Sequence, residues 1–192
     1  VCNSMCIRFN IGGENFRELR RENCYYVDKT EILYELLKEN YNKVTLFTRP
    51  RRFGKTLMLD MMDNFFNITK DSREIFDGLD IMKHKELCDK HMNKYPVIFI
   101  SLKEVEGNNF KDAYDRFCVI ISRLCIDISS ALGEYDINPE YESVFKKLKE
   151  GTANKAQITY ALDTLMRILH DAYGKDVVVL IDEYDVPISK AY

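Results

Sequence analysis

The chain has 192 residues, of which 46% are hydrophobic and 31% charged. Such a chain can bury roughly 70% of its unfolded surface around one core, and its composition excludes a disordered or fibrous protein. With 28 basic and 31 acidic side chains the net charge is −3, which excludes recruitment of nucleic acid by a global positive field. No apolar run approaches the ~20 residues of a membrane span and no signal-peptide pattern is visible, so the expected setting is cytoplasmic, without membrane contact. Six cysteines without C-x-x-C pairing fit a reducing compartment.

Residues 1–10 carry no readable pattern. Gly12-Gly13 marks a turn, and Phe16 and Leu19 among charged neighbours predict a short helix. Cys24-Tyr-Tyr-Val27 reads as an extended piece. Asp28 with Glu31 resembles a capping box in which an acid replaces the usual hydroxyl. The helix it opens carries Ile32, Leu33, Leu36 and Leu37 at helical spacing and ends near Asn40-Tyr-Asn42. Val44-Thr-Leu-Phe-Thr48 then predicts a short strand. A basic loop follows, Arg49-Pro50-Arg51-Arg52-Phe53, and Gly54-Lys55-Thr56 launches a helix bearing Leu57, Leu59, Met61, Met62, Phe65 and Phe66.

A strand, a loop and Gly-Lys-Thr at a helix start is the context of a phosphate-binding loop. Backbone N–H groups of the loop and first helical turn point at a phosphate, and the helix dipole favours negative charge. Gly54 allows close approach of the backbone. Lys55 has the reach for the β- and γ-phosphates, and the Thr56 hydroxyl suits a Mg²⁺ shell. The usual pattern is G-x-x-x-x-G-K-[ST], and Arg49 stands where its first glycine belongs. Arg49, Arg51, Arg52 and Lys55 concentrate four cations in seven residues. Alone they would read as a solvated basic loop; beside Gly-Lys-Thr they read as a phosphate site.

Further along, a short helix is expected near Asp71–Phe76, a turn at Gly78 and a helix from about Lys83. His84, Cys88 and His91 fall near one helix face, but a trio without a fourth ligand is read as structural rather than as a metal site. Pro96-Val-Ile-Phe-Ile-Ser-Leu102 is a second strand. Gly107-Asn-Asn109 caps a long helix with Phe110, Ala113, Phe117, Ile120, Ile121, Leu124 and Ile128 on its apolar positions, closed by Gly133. Asn138-Pro139 opens another helix, with Pro at its first position, that runs to Gly151. The next carries Ile158, Ala161, Leu162, Leu165 and Leu169 and ends at Gly174. Asp176-Val-Val-Val-Leu-Ile-Asp-Glu-Tyr184 is a continuous apolar run, expected as a strand buried on both faces of a parallel sheet. Its terminal acids suit Mg²⁺ binding (Asp182) and activation of a water (Glu183). Three strands alternating with helices predict a parallel α/β sheet with its ligand beyond the carboxyl ends of the strands, where both motifs can converge.

Together these segments resemble the AAA-ATPase-like family of bacterial and archaeal proteins, whose loop reads Thr-Arg-Pro-Arg-Arg-Phe-Gly-Lys-(Ser/Thr). The resemblance runs through Ile11-Gly12, Phe16-Arg-Glu-Leu19, Tyr26-Val-Asp-Lys-Thr30, Thr48–Thr56, Phe65-Phe66, Phe76-Asp-Gly-Leu79, Val97–Leu102 and Leu180–Ile188. The missing first glycine is therefore the family's own habit. The resemblance implies a P-loop NTPase-like three-layer α/β sandwich with a mostly parallel sheet. It also implies one domain over residues 1–192, with a flank at 1–42 and the P-loop core at 43–192. ATPases with glutamate beside the Mg²⁺ aspartate carry a further sensor strand, expected beyond Tyr192, so the chain is expected to be the N-terminal part of a longer module. Family members often carry a C-terminal PD-(D/E)XK nuclease-like domain, which is not in this chain.

The function implied is binding of ATP and its Mg²⁺-dependent hydrolysis. Arg49, Pro50, Arg51, Arg52, Phe53, Gly54, Lys55 and Thr56 form the nucleotide loop, Thr56 and Asp182 hold Mg²⁺, and Glu183 is the catalytic acid. Arg51 or Arg52 is a candidate to add charge at the γ-phosphate. The Tyr26–Thr30 signature is expected beside the loop, shaping the base pocket or simply opening the helix. The absence of an Asn/Thr-Lys-x-Asp motif favours ATP over GTP. The alternative function is a non-hydrolysing nucleotide-dependent switch or scaffold, or a nucleic-acid-processing protein working through a downstream nuclease-like domain. Expected partners are nucleotide, nucleic acid through that domain, and a second copy of the chain. A basic-loop nucleic-acid binder without nucleotide leaves the Asp-Glu strand without a purpose.

Overall fold

A computed structural model describes residues 13–38, 44–47, 54–105 and 109–185. The chain divides into two units, Val1–Lys94 and Tyr95–Tyr192, and each is taken by itself. In the first, α1 (Phe16–Arg21), α2 (Glu31–Lys38), α3 (Lys55–Phe66), α4 (Arg73–Phe76) and α5 (Lys85–His91) are joined by turns, with a 3₁₀ turn at Asp80–Lys83. The second holds β1 (Val97–Ser101), α6 (Phe110–Leu132), α7 (Pro139–Glu150), α8 (Lys155–Thr159), α9 (Ala161–Tyr173) and β2 (Val178–Asp182). Among the described residues no helix is long and apolar enough to cross a membrane.

Aromatic rings form the centre of the first unit. Phe16 lies edge-on to Tyr26 and against Phe76, and Phe65 packs on Phe66 and Phe76, all with ring centroids between 5.1 and 5.6 Å. On α3, Met58, Leu59 and Met61 through Phe66 are all buried. Its central polar residues are satisfied: Asp63 takes the Lys70 ammonium at 2.5 Å, and Asn64 accepts from Arg17 Nε and donates to the Asp60 carbonyl. The short elements are held through side chain to backbone bonds. Arg17 donates to the Asp71 carbonyl and the Ser72 hydroxyl, and Arg20 to the carbonyls of Ile75 and Asp77. Asn93, in the left-handed region at φ 55°, donates to the carbonyls of Asn64 and Asn67 and accepts from Ser72 N–H.

The second unit is built from apolar stripes. Ile98 and Ile100 of β1 join Ile121, Cys125 and Ile128 of α6, Phe145 and Leu148 of α7, Ile158 of α8, and Ala161, Leu165, Ile168 and Leu169 of α9 in one core. The expected helix boundaries hold where a cap exists. Asn109 opens α6 by accepting from Asp112 N–H, Asn138 precedes Pro139, and Gly151 and Gly174 end α7 and α9 with left-handed backbones. The helix expected as one piece through residue 158 and beyond is two: α8 ends at Thr159, and Tyr160, with φ −98° and ψ 10°, caps it and precedes α9.

β1 and β2 pair in parallel, in register from Val97 with Val178 to Ser101 with Asp182. This is the parallel α/β character expected, in a two-stranded sheet among the described residues. Two expectations differ. Residues 44–47 are described without strand pairing, and Val44 and Leu46 are largely exposed. Apolar alternation makes a strand only where a neighbour supplies the ladder bonds, and the described ladder joins β1 to β2. β2 is also not buried on both faces: Leu180 and Asp182 are buried on one side, while Ile181 on the other is 39% exposed.

Candidate functional site

Arg49, Pro50, Arg51, Arg52 and Phe53, with Thr48, lie outside the described residues. The described part of the loop begins at Gly54, whose φ of 74° and ψ of 30° are left-handed and whose carbonyl accepts from Met58 N–H at 3.0 Å. A left-handed N-cap is a conformation that glycine adopts without the steric penalty of a Cβ. No side chain caps α3, and no acid stands in its first turn. Lys55 and Thr56, both half-buried, occupy that turn. An uncapped, acid-free N-terminus carrying a lysine and a hydroxyl is electrostatically suited to an anion.

One turn on, Asp60 ties α3 to the start of α1 by accepting from Phe16 N–H at 2.7 Å. Burial pushes its carboxyl up, against the pull of the Phe16 N–H and of Lys70. Asp60 therefore faces the packing of the first unit and is not part of the loop's charge.

The Tyr25–Thr30 segment lies against this helix start. Asp28 does not form the expected capping box. Its Oδ1 accepts from both the N–H and the hydroxyl of Thr30, and its Oδ2 from Asp80 N–H at 2.7 Å. The buried Thr30 hydroxyl in turn accepts from Ile81 N–H. Burial alone would raise the Asp28 carboxyl, but the three donors hold it below its ordinary value. Tyr26 is pinned against Phe16, and burial pushes its hydroxyl up to about 12. The turn so fixed presents Lys29 to the loop: its ammonium nitrogen lies 3.8 Å from the place a Cβ on Gly54 would take. A pocket of about 210 Å³ opens between the segment and α3, lined in part by Tyr25, Tyr26, Val27, Lys29, Gly54 and Met58. Sequence reasoning placed this signature near the loop but missed Lys29 as a separate cation. The signal available was the Tyr26-Val-Asp-Lys-Thr30 signature itself, which contains Lys29 but does not say which of its side chains faces Gly54.

In the second unit Asp182 ends β2. It is 1% exposed, and its Oδ1 accepts from Glu183 N–H at 3.0 Å. Glu183 has φ 54°, left-handed and unusual for a side chain of its size. The backbone thus leaves the strand at Glu183, removing it from the alternation that would otherwise set it on the face opposite Asp182. Ser101, opposite Asp182 in the ladder, shares the carboxyl end of the strand pair.

His84, Cys88 and His91 do not converge on a metal position. His84 stacks on Tyr34 and meets Glu31 at 3.1 Å, while the Cys88 thiol, pushed up by burial, donates to the Ile81 carbonyl. His91 is buried, and burial lowers it toward the neutral form. Among the described residues no group of three or more His, Cys, Asp or Glu could hold a metal ion.

No solved structure matches the chain. An uncharacterized protein encoded in the vnfD 5′ region of Azotobacter chroococcum mcd 1 is 32% identical over 179 residues, which is 93% of this chain. The chain spans 29% of the length of that relative. A model of the family described as predicted AAA-ATPase matches residues 10–192. The chain belongs to this predicted AAA-ATPase family.

Proposed function

We propose that the chain binds ATP with Mg²⁺ at Gly54-Lys55-Thr56 and contributes Asp182 and Glu183 to ATP hydrolysis in the complete protein. The observation that carries this reading is the start of α3. A glycine in a left-handed conformation opens a helix with no side-chain cap and no acid in its first turn, an end whose dipole favours an anion. Family membership over residues 10–192 supports a nucleotide as that anion.

Each residue then has a role. Lys55 binds the β- and γ-phosphates as a charge-assisted donor. Arg49 to Phe53 complete the loop, with Arg51 or Arg52 adding charge near the γ-phosphate. The Thr56 hydroxyl and the Asp182 carboxylate would hold Mg²⁺. This ion keeps most of its waters and takes only one or two protein oxygens beside the phosphates, so a site without a three-acid cluster fits it. When bound, the ion neutralises charge on the phosphates. Glu183 draws a proton from the attacking water, its left-handed backbone taking it out of the strand alternation that would set it opposite Asp182. The pocket beside Tyr25, Tyr26 and Val27 suits the base.

The same reading carries a finer architecture. In a three-layer P-loop sandwich over residues 1–192, with 1–42 as flank and 43–192 as core, residues 44–47 would gain strand partners. The exposure of Val44, Leu46 and Ile181 leaves apolar surface for such a sheet to cover. A second copy of the chain, and nucleic acid reached through a downstream domain, are the partners proposed.

The test is calorimetric titration and phosphate release with the full-length protein. Lys55→Ala should lose roughly 1.5–3 kcal/mol of ATP binding, about one to two decades in affinity. Glu183→Gln should keep affinity and lose ~10²–10⁴ in turnover, whereas Asp182→Asn should weaken both. Equal ATP affinity for wild type and Lys55→Ala sinks the binding site. Wild-type turnover by Glu183→Gln removes Glu183 from the chemistry. Tight binding with no turnover in the wild type makes the protein a nucleotide-dependent switch.

A further inference from the structure

We infer that Lys29 is a second phosphate-binding ammonium of the nucleotide site, supplied from outside the Gly54–Thr56 loop. The inference rests on the nucleotide-binding reading above and adds a residue that the loop motif does not contain. Three observations carry it.

The first is position. The Lys29 ammonium stands 3.8 Å from the Cβ site of Gly54. Anything bound against the glycine backbone therefore meets that charge. A Cβ there would make only ordinary contact with the ammonium, so it is the left-handed φ of 74° that calls for glycine at this position.

The second is fixation. A lysine on a loose loop loses rotamer and backbone freedom when it binds, which offsets much of what its charge contributes. Here the backbone of the turn is set before any ligand arrives. Asp28 accepts from the N–H and hydroxyl of Thr30 and from Asp80 N–H, and Thr30 from Ile81 N–H. Lys29 O accepts from Ile32 N–H at 3.2 Å, closing the first turn toward α2.

The third is charge balance. The nearest acid in sequence, Asp28, turns its carboxylate to Thr30 and Asp80. The first turn of α3 contains no acid. The Lys29 ammonium and the dipole of α3 meet at Gly54, with Lys55 on the first turn beside them. A polyphosphate, with several negative oxygens spread over more than one phosphorus, suits two separate ammonium groups better than a single small anion does.

An exposed lysine could also simply cover the pocket wall with its methylene stem. The two roles separate by ligand. A phosphate contact weakens binding in proportion to the phosphates present, whereas a wall contact affects the base equally in every ligand. The experiment is competition titration of ATP, ADP and adenosine against the full-length protein as wild type, Lys29→Gln, Lys29→Arg and Lys55→Ala, with nucleotide-free melting temperatures alongside. The expected result is an approximately tenfold loss of ATP affinity for Lys29→Gln, a smaller loss for ADP and none for adenosine, with most of the ATP affinity kept by Lys29→Arg. Because Lys29 is exposed, Lys29→Gln should melt like the wild type; if it does not, Lys29→Met takes its place under the same criteria. Wild-type ATP affinity in Lys29→Gln beside a weakened Lys55→Ala overturns the inference and leaves the loop reading intact. Equal losses for ATP and adenosine also overturn it. A wild type that binds none of the three removes the nucleotide reading itself, and this inference with it.

Discussion

The two units reach their folds by different means. The second, Tyr95–Tyr192, stacks amphipathic helices over a parallel strand pair, and its core is mostly isoleucine and leucine, with one phenylalanine, one cysteine and one alanine, drawn from β1 and the four helices. The first, Val1–Lys94, has shorter helices, four residues in the case of α4, that could not hold themselves in water. Its turns are held by named polar contacts: Arg17 and Arg20 on the carbonyls around α4, Asn93 bridging Ser72 to the end of α3, and Asp28 with Thr30 holding the Asp80 turn. Hydrophobic burial is tolerant of small geometric change, whereas a hydrogen-bonded bridge holds one geometry or is lost. Gly54 and its neighbouring Lys29 are in the unit with the fixed geometry, which is what the proposed nucleotide site would require.

The sharpest way to break the comparison is in the second core. Leu165 is fully buried on α9, and Leu165→Ala should cost about 2–5 kcal/mol in a denaturant titration. A loss below ~1 kcal/mol would mean that the apolar core is not what holds that unit. In the first unit Asn93→Ala removes the partners of Ser72 N–H and of the Asn64 and Asn67 carbonyls. It also places alanine at a left-handed φ. We expect a loss of roughly 2–3 kcal/mol, with hydrogen exchange rising around α4 and the end of α3. Exchange unchanged there would show that the bridge is dispensable.

A smaller effect comes from local caps. In α8, Asn154 and Gln157 form a reciprocal capping box, and Asn154→Ala should cost about 1 kcal/mol. Fraying confined to α8 would match the modular character of the second unit. The smallest effect is electrostatic. The Asp28 carboxyl is held below its ordinary value in the folded chain, so its contribution to stability is complete above the unfolded-state value. It is lost as pH falls through the lower, folded value. The stability difference between wild type and Asp28→Asn, measured by urea titration, should therefore be constant near neutrality and shrink only as pH falls below about 4. A difference that persists unchanged at the acid end would mean that the contacts of Asp28 are indifferent to its charge.

The same contrast separates what could be read from the chain alone. Local rules carried the second unit. Asn138-Pro139, Asn109, Gly151 and Gly174 mark helix ends because capping depends on residues within a few positions. Apolar spacing marked which faces meet in the core, because helix period is a property of the backbone. The strand from Val97 and the run ending at Asp182 were legible for the same reason, and so was Gly54-Lys55-Thr56 as the start of a helix. Other features were decided only by the tertiary structure. Asp28 and Glu31 stand at capping-box spacing, yet the carboxylate of Asp28 serves a turn 52 residues away. Val44–Phe47 alternates like a strand, but pairing depends on a neighbour that no local pattern contains. Lys29 gains its place beside Gly54 because the Asp28–Thr30 turn and the head of α3 are folded together, a proximity between residues far apart in sequence that spacing along the chain does not encode.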